Sequence, residues 1–272
     1  MRPIDSETSL YAVIGDPVSH SLSPLIHNSA FTHINYNGVY LAFNVKDIAS
    51  AIAGVKSLGI KGVSVTIPHK QTVMKYLDEI DDNASKIGAV NTIINKEGKL
   101  VGYNSDCLGA IRALKEKTDI HGKKIIIIGA GGAARAIGFG ILAEGGELTI
   151  LNKYEDEARL LATDLGVVHY PITQFEKIDC HILINATPLG MIPDIESTPV
   201  KKEELHEDMV VMDIVYNPLK TRLLKDAENT GCVIVDGVAM FIYQAVFQFE
   251  LWTGQKAPVD VMKRIVLVEL TK

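Results

Sequence analysis

In the stretch "GVSVTIPHK", Gly62 to Lys70, an apolar run ends in a cation. Val63 to Ile67 reads as a buried strand, and Thr66 with Pro68 marks the start of a helix, so the spacing predicts that Lys70 lies in that helix's first turn. Partial positive charge at a helix N-terminus disfavours an ammonium there. In isolation such a lysine reads as a solvated surface residue. The chemistry an ammonium is suited to in this place is donation of a proton to an oxygen on which negative charge is developing. Asp106, in "GYNSD", is a second chemical candidate: it reads first as an N-cap for "CLGAIRALKEK" and alternatively as a catalytic acid.

Two further groups could hold a ligand. In "GDPVSHSLSP", Ser21 and Ser23 lie between a strand and a helix opened by Pro24. Ser23 reads as an N-cap with Pro24 behind it, and a hydroxyl-rich loop over free backbone N–H groups also suits a carboxylate or hydroxyls. His20 reads equally as an exposed loop histidine or a catalytic one, and Asn91, in "GAVNT", as a hairpin residue. In "IIIIGAGGAARA", Gly129, Gly131 and Gly132 separate a buried strand from a helix, a variant of the dinucleotide fingerprint in which backbone approaches a pyrophosphate and the helix N-terminus faces its charge. A turn that merely needs glycine is the alternative. The next strand ends in Asn152-Lys153, an amide and a cation where an NAD enzyme usually carries Asp or Glu, which favours a 2′-phosphate and hence NADP.

The elements that must position these residues form two series. "LYAVIG", "SPLIHNSAFTHI", "VYLAFNV", "IASAIAGVKSLG", "GVSVTIP" and "KQTVMKYLDEI" alternate strand and helix, as for a parallel sheet. "AVNTIINKEGKLVGYN" reads as a hairpin turning at Lys96-Glu97-Gly98. "KKIIIIG" then restarts the alternation, with strands "ELTILN", "CHILINAT" and "MVVMDIVY". "FIYQAVFQFELWTG" and "PVDVMKRIVLVEL" are helices with no strand after them, expected to pack back across the first domain. The fold class is therefore α/β with two α/β domains, a first over 1–106 completed by 240–272 and a central dinucleotide-binding domain over 107–239.

Composition agrees with an ordinary globular chain of 272 residues, 47% hydrophobic and 22% charged. A net charge of −6 with scattered Lys and Arg gives no phosphate-backbone footprint, so nucleic acid is not an expected partner. No run approaches the roughly 18 apolar residues of a membrane span, and no apolar leader precedes the first strand, so a cytoplasmic protein is expected. Cys107, Cys180 and Cys232 are odd in number and widely spaced, which argues against disulfides and a zinc site.

Taken together, "GDPVSHSLSP", "VTIPHK", "GAVNT", "GYNSD", "GAGGAARA", "NATPLGM", "VYNPLKTRLL" and "DGVAMFIYQAVFQFELWTG" resemble, in order and spacing, the shikimate dehydrogenase family almost from end to end. The resemblance implies a substrate domain made of the N-terminal part and the final helices, a Rossmann unit for NADP, and an active site in the cleft between them. It implies reversible NADPH-dependent reduction of 3-dehydroshikimate to shikimate in aromatic amino acid biosynthesis. Lys70 and Asp106 match the catalytic pair, which would titrate together, and Ser21, Ser23, Thr66, Asn91, Tyr216 and Gln244 match residues that hold shikimate's carboxylate and hydroxyls. Gly129, Ala130, Gly131, Gly132, Ala133, Asn152 and Lys153 fall on the cofactor loops, and Asp82, Ile214 and Gly237 on the cofactor side of the cleft.

Departures matter as well. Ser64 stands where many members carry Asn, Ser105 replaces a Thr and Cys107 a Gly, changes that look more like the reductase half of the fused dehydratase–reductase of plants. The usual N-R-T cofactor signature is "NKY", and Glu157 takes the second basic position, which weakens the expected preference for NADP over NAD. A helix N-terminus beside Cys107 predicts a lowered thiol pKa, and a small buried thiol filling the space of the usual glycine is the equal alternative. The alternatives to the family's main activity are a related enzyme that also oxidises quinate, with relaxed NAD/NADP use, and a dinucleotide-binding sensor without catalysis. A monomer or homodimer is expected.

Overall fold

Tyr11 to Ile14, four consecutive buried residues, form the centre of β1 (Ser9–Gly15) and start the first sheet of the computed structural model, which describes residues 4–272. There follow α1 (Ser23–His33), β2 (Gly38–Asn44), α2 (Ile48–Ser57), β3 (Gly62–Val65), β4 (Glu79–Ile80), α3 (Asp82–Ile87), β5 (Thr92–Lys96) and β6 (Lys99–Tyr103). The sheet order is β2-β1-β3-β5-β6-β4. It is mixed: β5 runs antiparallel to both β3 and β6 and the other pairs are parallel. The β5–β6 hairpin closes with Lys96 opposite Lys99, so Glu97 and Gly98 alone form the turn, at φ 53° and 92°, the positive values of a type I′ turn.

The segment read as one helix, "KQTVMKYLDEI", does not form it. Residues Thr72–Tyr76 make a short 3-10 turn, and Glu79–Ile80 pair with Val101–Gly102 as β4. Asp78 accepts the Leu100 N–H through its side chain at 2.7 Å and donates its own to the Leu100 carbonyl at 3.0 Å. The apolar spacing of Val73, Leu77 and Ile80 suits a helix, but strand pairing with β6 satisfies the same backbone groups and wins.

The second series comprises α4 (Ser105–Lys115), β7 (Lys124–Ile128), α5 (Gly132–Ala143), β8 (Glu147–Asn152), α6 (Glu155–Leu165), β9 (Val168–Pro171), β10 (Ile182–Asn185), β11 (Val210–Asp213), α7 (Arg222–Thr230), β12 (Val233–Val235) and α8 (Gly237–Thr253), followed by α9 (Val259–Leu270). Its sheet order, β12-β11-β10-β7-β8-β9, is parallel throughout. Counted from β7, that is the doubly wound order 3-2-1-4-5-6, with the topological switch beside β7. Ile125 to Ile128 are buried on both faces, as a central parallel strand requires.

The chain separates into two units, one made of residues up to Ser105 with Gln244–Lys272, the other of Asp106–Tyr243. In the first, α9 lies against α1, and Trp252 of α8 is buried with its indole N–H donated to the Ile93 carbonyl at 3.0 Å. The closing helices thus complete the first α/β unit. No helix among the described residues is long and apolar enough to cross a membrane.

Candidate active site

In the first unit the candidate residues gather at the ends of β1, β3 and β5. β3 continues into Thr66, whose N–H donates to the Ile14 carbonyl at 2.9 Å, and this closeness requires Gly15: a Cβ there would stand 2.3 Å from Thr66 Cγ2. Beyond Thr66 the chain turns through a cis Ile67–Pro68 bond. His69, buried, donates through Nε2 to the Val45 carbonyl at 2.6 Å. Lys70 follows, half-buried, and its carbonyl accepts the Val90 N–H at 2.8 Å. It therefore sits in a turn before a 3-10 segment and not in the first turn of an α-helix, so the helix-end repulsion expected from the sequence does not arise. The backbone tie to Val90 holds Lys70 beside the residue that precedes Asn91.

Asn91 is buried and its side chain is locked. Its Oδ1 accepts the Ser105 backbone N–H at 2.7 Å and the Thr92 hydroxyl at 2.8 Å, while its Nδ2 donates to Ser105 Oγ at 2.9 Å. Gln248, which sequence reasoning passed over, extends the cluster: Nε2 donates to Thr92 Oγ1 at 3.0 Å and to Ser105 Oγ at 3.3 Å, and Oε1 accepts from Ser64 Oγ at 2.8 Å. Ser64 in turn accepts from the Tyr40 hydroxyl at 2.7 Å. Burial pushes the Tyr40 phenol up, with hydrogen bonds to Ser64 and Ser23 acting the other way. The Ser105 hydroxyl lies 3.5 Å from Gln244 Oε1. Asn91, Gln244 and Ser23 are thus joined through one buried chain of polar groups. The signal for Gln248 was its place one turn after Gln244 on α8.

The serine loop differs from its sequence reading in one respect. Ser23 is the first helical residue of α1, and Leu22 occupies the N-cap position without a side-chain bond. The capping oxygen is that of half-buried Ser21, which accepts the Ser23 N–H at 3.2 Å. Asp82 is exposed in the first turn of α3, where Asp81 serves as the cap.

In the second unit the glycine loop leaves β7 at the topological switch. Gly129 has φ 117°, and a Cβ on it would press to 2.9 Å from the Ala186 carbonyl oxygen, so glycine is required by both conformation and space. Gly131 caps α5 with no side-chain bond, it is exposed, and a Cβ there would meet nothing within 4 Å. The first-turn N–H groups of Gly132 and Ala133 have no partner within the helix. An open backbone cradle with no carboxylate in the first turn fits a pyrophosphate. Ala130 is half-buried within this loop. The Gly129 N–H donates to the Leu151 carbonyl at 2.8 Å, which sets the loop beside buried Asn152; Lys153 is exposed.

On the other side of β7, Asn185 donates to Asp213 Oδ1 at 3.0 Å and Thr221 donates to Asp213 Oδ2 at 2.6 Å. Burial pushes the Asp213 carboxyl up to about 6 despite these bonds and that from the Val215 N–H. Ile214 follows on the chain. Gly237 packs so closely on the Ile214 and Val215 backbone that a Cβ would stand 2.6 Å from it, and Tyr216 stacks on Phe241 with centroids 4.5 Å apart.

Asp106 lies buried in the first turn of α4, which begins at Ser105, so it is not the N-cap. Its neighbour Cys107 follows the buried-thiol reading and not the reactive one: burial first, then the charges of Asp106 and Glu144, push the thiol up to about 11. The thiol packs on α5, where a Cβ at Gly140 would stand 2.9 Å from Sγ, and desolvation there outweighs the helix terminus. Among the described residues no group of three or more His, Cys, Asp or Glu is placed to hold a metal ion.

Residues 13–93 match the shikimate dehydrogenase substrate binding domain, and residues 237–267 match the shikimate 5′-dehydrogenase C-terminal domain. A shikimate dehydrogenase (NADP(+)) of Methanopyrus kandleri is 46% identical over 98% of this chain and 98% of its own. The chain belongs to the shikimate dehydrogenase family. Among solved structures, a shikimate dehydrogenase in complex with NADP+ has 44% identity and a TM-score of 0.94, covering 99% of this chain and 98% of its own. A shikimate 5-dehydrogenase from Listeria monocytogenes, in complex with shikimate and NAD, has 36% identity and a TM-score of 0.89 over 98% and 99% of the two chains.

Proposed function

We propose that this member of the shikimate dehydrogenase family catalyses the reversible NADP-dependent reduction of 3-dehydroshikimate to shikimate in aromatic amino acid biosynthesis. The observation that carries the reading is the rigid frame shared by Lys70 and Asn91. The carbonyl of one is bound to the N–H immediately before the other, so a proton donor and a hydroxyl-recognising amide are held together.

Ser21 and Ser23, at the start of α1, take the substrate carboxylate, and Thr66, Asn91, Tyr216 and Gln244 take its hydroxyls. Asn91 is suited to discriminate because its oxygen is consumed by Ser105 and Thr92 and one N–H by Ser105 Oγ, leaving the second amide N–H as the recognising group. When bound, NADPH supplies the hydride. Lys70 delivers a proton to the carbonyl oxygen, which requires an approach of about 3 Å, and its ammonium stabilises the developing alkoxide. Asp106 is its partner in the transfer. The loop Gly129 to Ala133 holds the pyrophosphate, Asn152 and Lys153 the adenosine ribose, and Asp82, Ile214 and Gly237 complete the cofactor contacts.

Shikimate oxidation with NADP+, followed through the absorbance of the reduced nicotinamide, tests the reading. Lys70→Met is expected to lower kcat by about 10²-fold or more while KM for shikimate stays within a few-fold, because the interaction lost belongs to the transition state. Near-normal kcat in a folded variant would overturn the role of Lys70. Absence of shikimate turnover by the unaltered chain would overturn the function.

A further inference from the structure

We propose that Glu157 sets the nucleotide preference of this enzyme: beside Asn152 it makes this corner of the loop a hydrogen-bond-accepting site for the O–H of a free ribose 2′-hydroxyl, so that NAD(H) serves beside NADP(H). The proposal rests on the dinucleotide reading of the glycine loop given above. Its starting point is the hydrogen-bond inventory of Asn152, at the carboxyl end of β8 and only 7% exposed. Its Nδ2 donates to the Tyr154 carbonyl at 3.2 Å and to Glu157 Oε2 at 3.1 Å. A primary amide has two N–H groups, and both are given to partners that can only accept. The orientation of the amide is thereby settled, and neither N–H remains for a phosphate. Its Oδ1 accepts no hydrogen bond from a described residue. An amide oxygen open to a ligand beside a carboxylate suits a donor, which a ribose hydroxyl is and an ionised phosphate is not.

The charges nearby point the same way. Glu155, Asp156 and Glu157 occupy the first turn of α6. Arg159 pairs with Asp156 at 2.8 Å, and the Lys153 ammonium stands 5.6 Å over the Tyr154 ring. To take a 2′-phosphate, Lys153 must leave that ring and Glu157 must give up Asn152 or tolerate a second anion. To take a 2′-hydroxyl, nothing moves. NADP(H) keeps the attraction of Lys153, but as a single flexible point charge without the forked grip of arginine. Its advantage over NAD(H) is correspondingly small.

Isothermal titration of NADP+ and of NAD+, each without shikimate, into the wild type, Glu157→Gln and Glu157→Arg reads the subsite directly. The wild type is expected to bind both nucleotides with Kd values within about tenfold of each other. Glu157→Gln removes the charge that repels a phosphate and weakens the acceptor for a hydroxyl, so the ratio of the two Kd values moves towards NADP+ by about tenfold, and Glu157→Arg moves it further. A ratio unchanged within about twofold in Glu157→Gln, or wild-type binding of NAD+ more than about a hundredfold weaker than NADP+, overturns the proposal alone. Failure of the wild type to bind either nucleotide overturns the dinucleotide reading and the proposal with it.

Discussion

In the unit that carries Asn91, polar side chains run through the interior: Tyr40, Ser64, Gln248, Thr92, Ser105 and Asn91 are all buried and each is bonded to the next. In the unit that carries the glycine loop, the sheet interior is mainly isoleucine, leucine, valine and methionine, and the buried polar residues of its described strands, Asn152, Asn185 and Asp213, stand at the strand ends. The difference follows from what each half must hold. A ring bearing hydroxyls is distinguished by side-chain amides and hydroxyls, which keep their aim only when the next group behind them is satisfied. A pyrophosphate is held by backbone N–H groups, so the residues beneath need only place a turn, and apolar packing does that.

The contrast can be broken at three points. The largest effect is expected from Ile127→Ala at the fully buried centre of β7, which should cost about 3 kcal/mol in urea denaturation followed by circular dichroism, through lost transfer and a cavity. With no polar group disturbed, KM for shikimate should stay unchanged wherever the variant remains folded; a rise would show that packing and recognition are coupled in this unit too.

Gln248→Met should cost less, about 2 kcal/mol, but act differently, because it leaves the Ser64, Thr92 and Ser105 hydroxyls short of a partner. KM for shikimate is expected to rise several-fold with KM for NADP+ unaltered. Equal changes in both would mean that the buried chain serves stability alone.

An effect no larger than that of Gln248→Met, and spread over a range of conditions, is set by pH. His27 is fully buried and stacked on Tyr40 at 4.5 Å, and among the described residues neither ring nitrogen has a partner at hydrogen-bond geometry, although Gln248 partly opposes the effect of burial on the ring. Burial pushes its imidazole down to about 3. The unfolded chain protonates it near its ordinary value of about 6.5, so its contribution is fully present above that pH and is lost as pH falls towards 3. By pH 5 the loss amounts to about 2 kcal/mol. Asp213 has the opposite sign: its carboxyl is raised to about 6, so its contribution is present at low pH and is lost as pH rises through that value. Between pH 7 and 5, then, the first unit weakens while the second gains. His27→Phe should flatten the acid limb of stability against pH; an unchanged slope would acquit His27.

Much of this organisation can be read along the chain. Ile125–Ile128 declares a buried parallel strand by its branching alone, and Lys96-Glu97-Gly98 declares a hairpin turn, which the pairing of Lys96 with Lys99 narrows to Glu97 and Gly98. The glycine loop and the serine loop are local patterns as well. What is not legible is whatever depends on distant partners. Ser64 and Gln248 are 184 positions apart, and nothing local says that one satisfies the other. Residues 71–80 carry a helical apolar spacing that β6 overrides, and the capping role passes from Ser23 to Ser21 because Ser23 itself enters the helix. The choice between the two readings of Cys107 is hidden for the same reason, since its burial against Gly140 is a matter of how α4 meets α5.

Trp252 is the chain's single tryptophan, and it belongs to the first unit, with the rings of His27 and Tyr11 at 5.3 and 5.5 Å and its indole N–H held by Ile93. The molecule is therefore optically one-sided. Excitation of indole sees only the half with the polar interior, and the dinucleotide half contributes no emission of that kind. Each unit's melting can be followed within the intact enzyme by subtracting what the indole reports from what the whole backbone reports, with no label and no change to the chain.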